Sequence, residues 1–250
     1  MTGTAIGLGL EDKRVLVTGG TRGVGRATSL AMAGSGARVL ACYRTNRDAA
    51  KRLESEPGWD PGRHRTLQAD LFTPSGRSAA AAACREVFGG LDILVNNLGT
   101  YAPRPFGELT DEDVARVVAE NLTVHLQLTR TVLPLLSDGG AVVNVGAGMA
   151  ERGRAGHTHF TAAKAGLGGF VRSLCKEVGE RGIRINTVAP GVVETERGID
   201  LPPQVQEGLL SAIPLRRFGT ACEIARVIAF LAGDAARFVN GVTLRVDGGL

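Results

Sequence analysis

Short runs rich in valine, leucine and isoleucine alternate along this chain with longer, alanine-rich stretches. The runs are Val15–Thr18, Arg38–Ala41, Thr66–Ala69, Ile93–Asn96, Ala141–Val145, Arg184–Val188 and Thr243–Val246. Each has the length and residue types of a β-strand. Between them lie Gly25–Gly34, Asp48–Glu56, Ser75–Phe88, Asp111–Leu136, Thr161–Glu180 and Ala221–Leu231, each long enough for a helix. Seven strands separated by helices predict repeated βαβ units. The expected fold is α/β, a Rossmann-type doubly wound parallel sheet with helices on both faces. Thr220 followed by Glu223 predicts a capping box ahead of the apolar run Ile224–Leu231. No repeat or compositional break divides the chain, so one domain is expected over residues 13–250, after a tail at 1–12. Pro57–Gly62 and Leu201–Pro214 are rich in proline and glycine and are expected to be mobile loops.

The 250 residues are 44% hydrophobic and 22% charged, which excludes a disordered chain and suffices for one full core. No apolar run approaches the ~18 residues of a membrane span, and Met1–Leu10 lacks the basic start of a secretory signal. Cys42, Cys84, Cys175 and Cys222 stand far apart, which speaks against a zinc site or a disulfide framework and for a cytoplasmic protein. The net charge of +4 raises the question of nucleic acid. The arginines alternate with acids and the 11 aromatics are scattered, so neither a clustered basic face nor a stacking platform is expected.

Chemistry enters at Thr18-Gly19-Gly20-Thr21-Arg22-Gly23-Val24-Gly25, between the first strand and the first helix. Residues without side chains let the backbone turn sharply and approach a phosphate, and the helix N-terminus offers free N–H groups and a positive dipole end. A turn that merely needs glycine for positive φ is the plainer alternative.

The spacing TGxxxGxG resembles that of the short-chain dehydrogenases/reductases, in their compact branch. Asp70-Leu71 at the end of the third strand, Asn96-Asn97-Leu98-Gly99 (with Leu for the family's Ala), Asn121, Pro190-Gly191 with Thr195, Phe230-Leu231 and Asp247-Gly248-Gly249 follow in the family's order, from about residue 11 to the C-terminus. The resemblance implies a dinucleotide held by Gly19, Thr21, Arg22, Gly23 and Val24 of the turn, and by Tyr43, Arg44, Thr45, Asp70, Leu71, Asn97, Leu98 and Gly99. Lys164, Pro190, Gly191, Val193 and Thr195 complete the set. An acid at the end of the second strand pairs with the ribose hydroxyls of NAD. This strand ends Ala41-Cys42-Tyr43-Arg44-Thr45 instead. Arg44, with Arg22, suits a 2′-phosphate, and NADP(H) is the expected cofactor.

The resemblance breaks at the catalytic centre. The family pairs a tyrosine proton donor with a lysine four residues later and a serine thirteen residues earlier. Lys164 is present, but Phe160 stands at the tyrosine position and Ala147 at the serine position. A positioned acid contributes ~10²–10⁴ in rate, so an ordinary ketone reductase is not expected. His157, seven residues before Lys164, and Tyr101, just past the Asn-Asn-Leu-Gly strand end, are separate candidates to supply the proton. A substrate that brings its own is the third, and Asn121 is expected to hold a water or a helix kink.

Three functions stay open at this stage. One is NADP(H)-dependent hydride transfer to a conjugated C=C bond or an activated ketone, on a small apolar, aromatic or polyketide-like molecule. The second is a cyclase, dehydratase or isomerase using His157 or His159, and the third a non-catalytic NADP-binding partner subunit. The resemblance further implies a homodimer or homotetramer built through Asp111–Leu136 and Thr161–Glu180, and a variable lid over residues 192–214.

Overall fold

The computed structural model describes residues 7–196, 198–199 and 201–250. Seven parallel strands form the central sheet: β1 (Arg14–Val17), β2 (Arg38–Tyr43), β3 (Arg65–Gln68), β4 (Leu91–Asn96), β5 (Leu136–Val145), β6 (Arg184–Pro190) and, last in sequence, β9 (Thr243–Val246). Their order across the sheet is β3-β2-β1-β4-β5-β6-β9. The order reverses between β1 and β4, and the strand exits part there. This is where open parallel sheets bind ligands. Two short strands, β7 (Val193–Glu194) and β8 (Gly219–Thr220), pair apart from the sheet.

Alternation along each strand assigns side chains to two cores. Val15 and Val17 of β1 face one layer with Met32, Ile224 and Ile228, whereas Leu16 between them faces the other with Leu94, Leu128 and Val171. The first layer is α1 (Gly23–Gly34) with α9 (Ala221–Ala232), which pack against each other. The second comprises α3 (Pro74–Phe88), α5 (Val124–Val132) and α7 (Thr158–Val178). The remaining helices are α2 (Arg47–Glu54), α4 (Asp111–Val118), the single turn α6 (Met149–Arg152) and α8 (Pro203–Ala212).

Four helix starts are capped by their own sequence. Asn46 accepts from Ala49 N at 2.8 Å and Thr73 from Gly76 N at 3.0 Å, while Thr110–Asp113 and the expected Thr220–Glu223 form capping boxes. At the other end of α9, the buried Arg184 guanidinium donates to the carbonyls of Leu231, Ala232 and Gly233.

Four expectations need correction. Leu201–Pro214 is not a loop, since Pro203–Ala212 is helical. Proline at the first helical position is compatible with a helix, because its missing N–H has no partner there anyway. Asp111–Leu136 is not one helix: α4 and α5 are separated by a π-helical turn, Ala119–Thr123, and β5 already starts at Leu136. α7 starts at Thr158 rather than Thr161, so His157 stands at its N-cap position, just ahead of the helix. Of the expected tail, residues 1–6 lie outside the described residues, and Leu10 is buried in the core. Leu8 O also accepts from Asp234 N at 2.8 Å. Of the two segments expected to be loops, Pro57–Gly62 is one, anchored by buried Trp59 against the His64 ring.

Candidate active site

The glycine turn lies at the parting of β1 and β4. Thr18 ties the two strand exits together: its hydroxyl donates to Val95 O at 3.3 Å and accepts from Asn97 N at 2.8 Å. Asn97 returns a bond from Nδ2 to Thr18 O at 3.0 Å. Gly19 and Gly23 have φ of +59° and +54°, where a side chain is strained. A Cβ on Gly25 would run into the Gly19 carbonyl. The backbone therefore folds tightly enough to bring the start of α1 to the cleft.

That cleft, about 320 Å³, is lined by Gly19, Thr21, Arg22, Gly23, Tyr43, Arg44, Thr45, Asn97, Leu98, Gly99 and Thr195 of the expected cofactor residues. The Arg44 guanidinium lies 5.3 Å from the centre of the Phe72 ring, which also lines it. Leu71, Phe72 and Leu98 wall a small apolar recess sharing Gly19, Tyr43 and Arg44 with the cleft. The other expected residues stand outside the lining. Val24 and Val193 pack against the core. Asp70 is exposed, and its Oδ1 accepts from Phe72 N at 3.1 Å, closing the turn that presents Phe72. Pro190 O accepts from Gly148 N at 2.7 Å, and Gly191 lies so near Asp247 that a Cβ would come 2.8 Å from its Cα. Asn46, Phe72, Thr100 and Glu196 also line the cleft and were not foreseen. Phe72 was legible as an apolar residue two places beyond Asp70; Glu196 carried no signal.

The candidate catalytic residues adjoin it. Lys164 is buried on α7, with Nζ donating to Val145 O at 2.9 Å and to Leu98 O at 3.5 Å. Burial lowers its pKa from 10.5 to about 7. The π-helical turn brings in Asn121, whose Oδ1 accepts from Thr100 N at 3.2 Å while Nδ2 donates to Val117 O at 3.0 Å. Its side chain thus holds the strand exit as well as the bend. His125 lies one turn further on, with Nε2 2.8 Å from Leu98 O. Burial, then the nearby Lys164 charge, lower its pKa to about 3, so it is neutral and Nε2 carries the proton donated to Leu98.

Phe160 is buried one turn before Lys164, and Ala147 is half-buried just past β5. Tyr101, half exposed, meets the Phe160 ring edge-on at 5.7 Å between centroids. His157 and Tyr101, separate candidates in the sequence, are in contact: Nε2 lies 2.6 Å from the tyrosine hydroxyl, and Nδ1 lies 2.8 Å from Ala155 O. His159 is buried. The thiols of Cys42 and Cys84 are buried and pushed upward, Cys84 to about 12, which keeps them protonated. Among the described residues no cluster of metal ligands occurs and no helix is long and apolar enough to cross a membrane.

A glycine turn at a topological switch point, beside a buried lysine and an asparagine on a distorted helix, defines a dinucleotide-dependent class of fold. Residues 19–250 match the family described as enoyl-(acyl carrier protein) reductase. The chain is 36% identical to the 3-oxoacyl-[acyl-carrier-protein] reductase FabG of Vibrio cholerae, over 97% of this chain and 99% of that one. A short-chain dehydrogenase from Burkholderia cenocepacia, solved with NADP, superposes with a TM-score of 0.90 at 32% identity, covering 96% of this chain and 98% of that one. A blue fluorescent protein from a metagenomic library, solved with NADPH, gives 0.89 at 35% identity over the same shares. The protein belongs to the short-chain dehydrogenases/reductases, a family of oxidoreductases.

Proposed function

We propose that the protein is an NADP(H)-dependent reductase of a carbonyl group, or of a C=C bond conjugated to one, in which Tyr101 held by His157 donates the proton. The contact between the Tyr101 hydroxyl and His157, beside Phe160, carries this reading. The cleft fits the cofactor on three counts: an N-terminus of α1 whose own first residue, Arg22, supplies no side-chain cap, glycines where a Cβ would intrude, and Arg22 and Arg44 in place of an acid. The relatives solved with NADP and NADPH agree with it.

When bound, NADPH supplies a hydride from its nicotinamide ring. Lys164, hydrogen-bonded to two strand-exit carbonyls, supplies positive charge and donors to the nicotinamide ribose, the part of its family role that needs no tyrosine. Reduction leaves negative charge on the substrate oxygen, and in this reading neither Phe160 nor Ala147 meets it. The tyrosine hydroxyl does. His157 donates from Nδ1 to Ala155 O, so in its neutral form Nε2 is an acceptor and absorbs the tyrosine proton. As an imidazolium it donates from Nε2 to the Tyr101 oxygen, and the tyrosine's own proton is free for the substrate. Tyr101 then gives up that proton, takes one from Nε2, and leaves the imidazole neutral.

His157 is engaged with Tyr101 and His159 is buried, so neither is well placed as the acid/base of a non-redox reaction. The aromatic pair Tyr101 and Phe160 favours an apolar or aromatic small molecule. Val114 of α4 and Leu126 of α5 are exposed on helices through which family members assemble, in keeping with a homodimer or homotetramer.

The test is NADPH oxidation with 3-oxoacyl and enoyl thioesters, enones, quinones and aromatic ketones. Turnover with at least one class is expected, reduced ~10²–10⁴-fold in Tyr101→Phe while NADPH binding stays. Bound NADPH that no compound oxidises, or a Tyr101→Phe variant of unchanged rate, refutes the proposal.

A further inference from the structure

α1 begins differently from α2, α3, α4 and α9. Those helices are capped by the side chains of Asn46, Thr73, Thr110 and Thr220, whereas Arg22 at the head of α1 contributes no side-chain bond. The place is taken by a carboxylate from far along the chain. Gly23 N donates to both oxygens of Glu196, at 2.9 and 3.0 Å. An anion therefore already occupies the spot where the glycine turn offers its amides to a phosphate, with the dipole of α1 behind it. Glu196 also lines the cofactor cleft. Among the described residues the carboxylate bonds this amide and neither Arg22 nor Arg44, although both line the same cleft.

The carboxylate is delivered by a short arm. β7 ends at Glu194, where Val193 and Glu194 pair with Gly219 and Thr220, and Glu196 follows two residues later. That arm is the start of the expected lid, so whatever displaces the carboxylate releases this tie between the lid and the head of α1.

We infer that Glu196 is an internal stand-in for the cofactor's pyrophosphate, latching the lid to the head of α1 until the dinucleotide displaces it. The inference rests on the proposed cofactor site. Two anions cannot share one helix start without strong repulsion, so binding the pyrophosphate and releasing the latch are one event. Only the unlatched fraction binds directly, which weakens the apparent affinity by that fraction. Cofactor arrival then releases the Glu196 contact by charge competition.

The test is NADPH titration of the full-length wild type, Glu196→Gln, Glu196→Ala and Glu194→Gln, followed by calorimetry. Glu194 is the control, a neighbouring exposed carboxylate. Glu196→Ala is expected to bind NADPH about threefold to tenfold more tightly than wild type, with Glu196→Gln between them and Glu194→Gln unchanged. Unchanged or weaker binding by both Glu196 variants overturns the latch while leaving the cofactor site intact. Equal tightening in Glu194→Gln also overturns it, since that is a general charge effect. Absence of NADPH binding in every protein refutes the cofactor site and the latch together.

Discussion

His157 stands at the N-cap position of α7, and its imidazole holds the hydroxyl of Tyr101 at 2.6 Å. A residue 56 positions away in sequence is thereby placed against Phe160. If His157 reloads Tyr101 with a proton, His157→Gln lowers kcat about tenfold to a hundredfold and leaves NADPH affinity as it was. Steady-state kinetics with direct cofactor titration separates the two. Loss of NADPH affinity in step with kcat would make His157 a structural residue only.

Adding hydroxyls at positions 147 and 160 is the complementary experiment. The double variant Ala147→Ser, Phe160→Tyr is expected to gain reduction of simple ketones by ~10²-fold or more over wild type. Each single change alone should give much less, because the two groups act on one oxygen. NADPH oxidation with an unactivated ketone reads the result. No gain in the double variant would mean that the remaining site is not arranged for that substrate.

Most of this architecture is legible in the sequence, and the exceptions share a cause. Strands such as Val15–Thr18 and the cap at Thr220–Glu223 depend on neighbours in the chain, and both appear within a residue or two of expectation. Pro203–Ala212 was missed because proline punctuates helices at their starts as well as ending them. The π-helical turn leaves no trace in hydrophobic spacing, since it costs one residue within an otherwise helical pattern. At the site, the glycine turn, Arg44 and Lys164 were legible through motif spacing. The Tyr101–His157 bond and the Glu196–Gly23 bond were not, because each joins two loops that only the folded sheet brings together.

Arg44 should distinguish the two dinucleotides. Arg44→Ala is expected to weaken NADPH binding about tenfold or more, the usual worth of a charge-assisted bond to phosphate. NADH, which has no 2′-phosphate, should bind about as before. Calorimetry with both cofactors decides, and an equal loss for the two would assign Arg44 to packing against Phe72.

Lys164 makes a prediction about stability rather than rate. Its pKa is about 7 in the folded protein against 10.5 for the solvated side chain, because burial disfavours the ammonium. Between those values the unfolded chain holds a proton that the folded one gives up, so this group's contribution to stability rises with pH. It is lost as pH falls through that window, and below about 7 the cost of the buried charge is complete. Lys164→Met, uncharged throughout, should therefore be stabilised relative to wild type most at pH ~6, with the advantage shrinking towards pH ~10. Urea unfolding at the two pH values measures it. A difference independent of pH would show that the amine is solvated in the folded state.

The wide turn at Ala119–Thr123 sets the phase of everything after it. Each residue of an α-helix advances the chain by about 100° around the axis. With the surplus residue in place, Asn121 addresses the strand exit while Val124, Leu128 and Val132 point into the core. Shorten that turn by one residue and the two sets fall out of step by more than a right angle. Either the amide leaves the loop it holds, or the aliphatic stripe swings towards water.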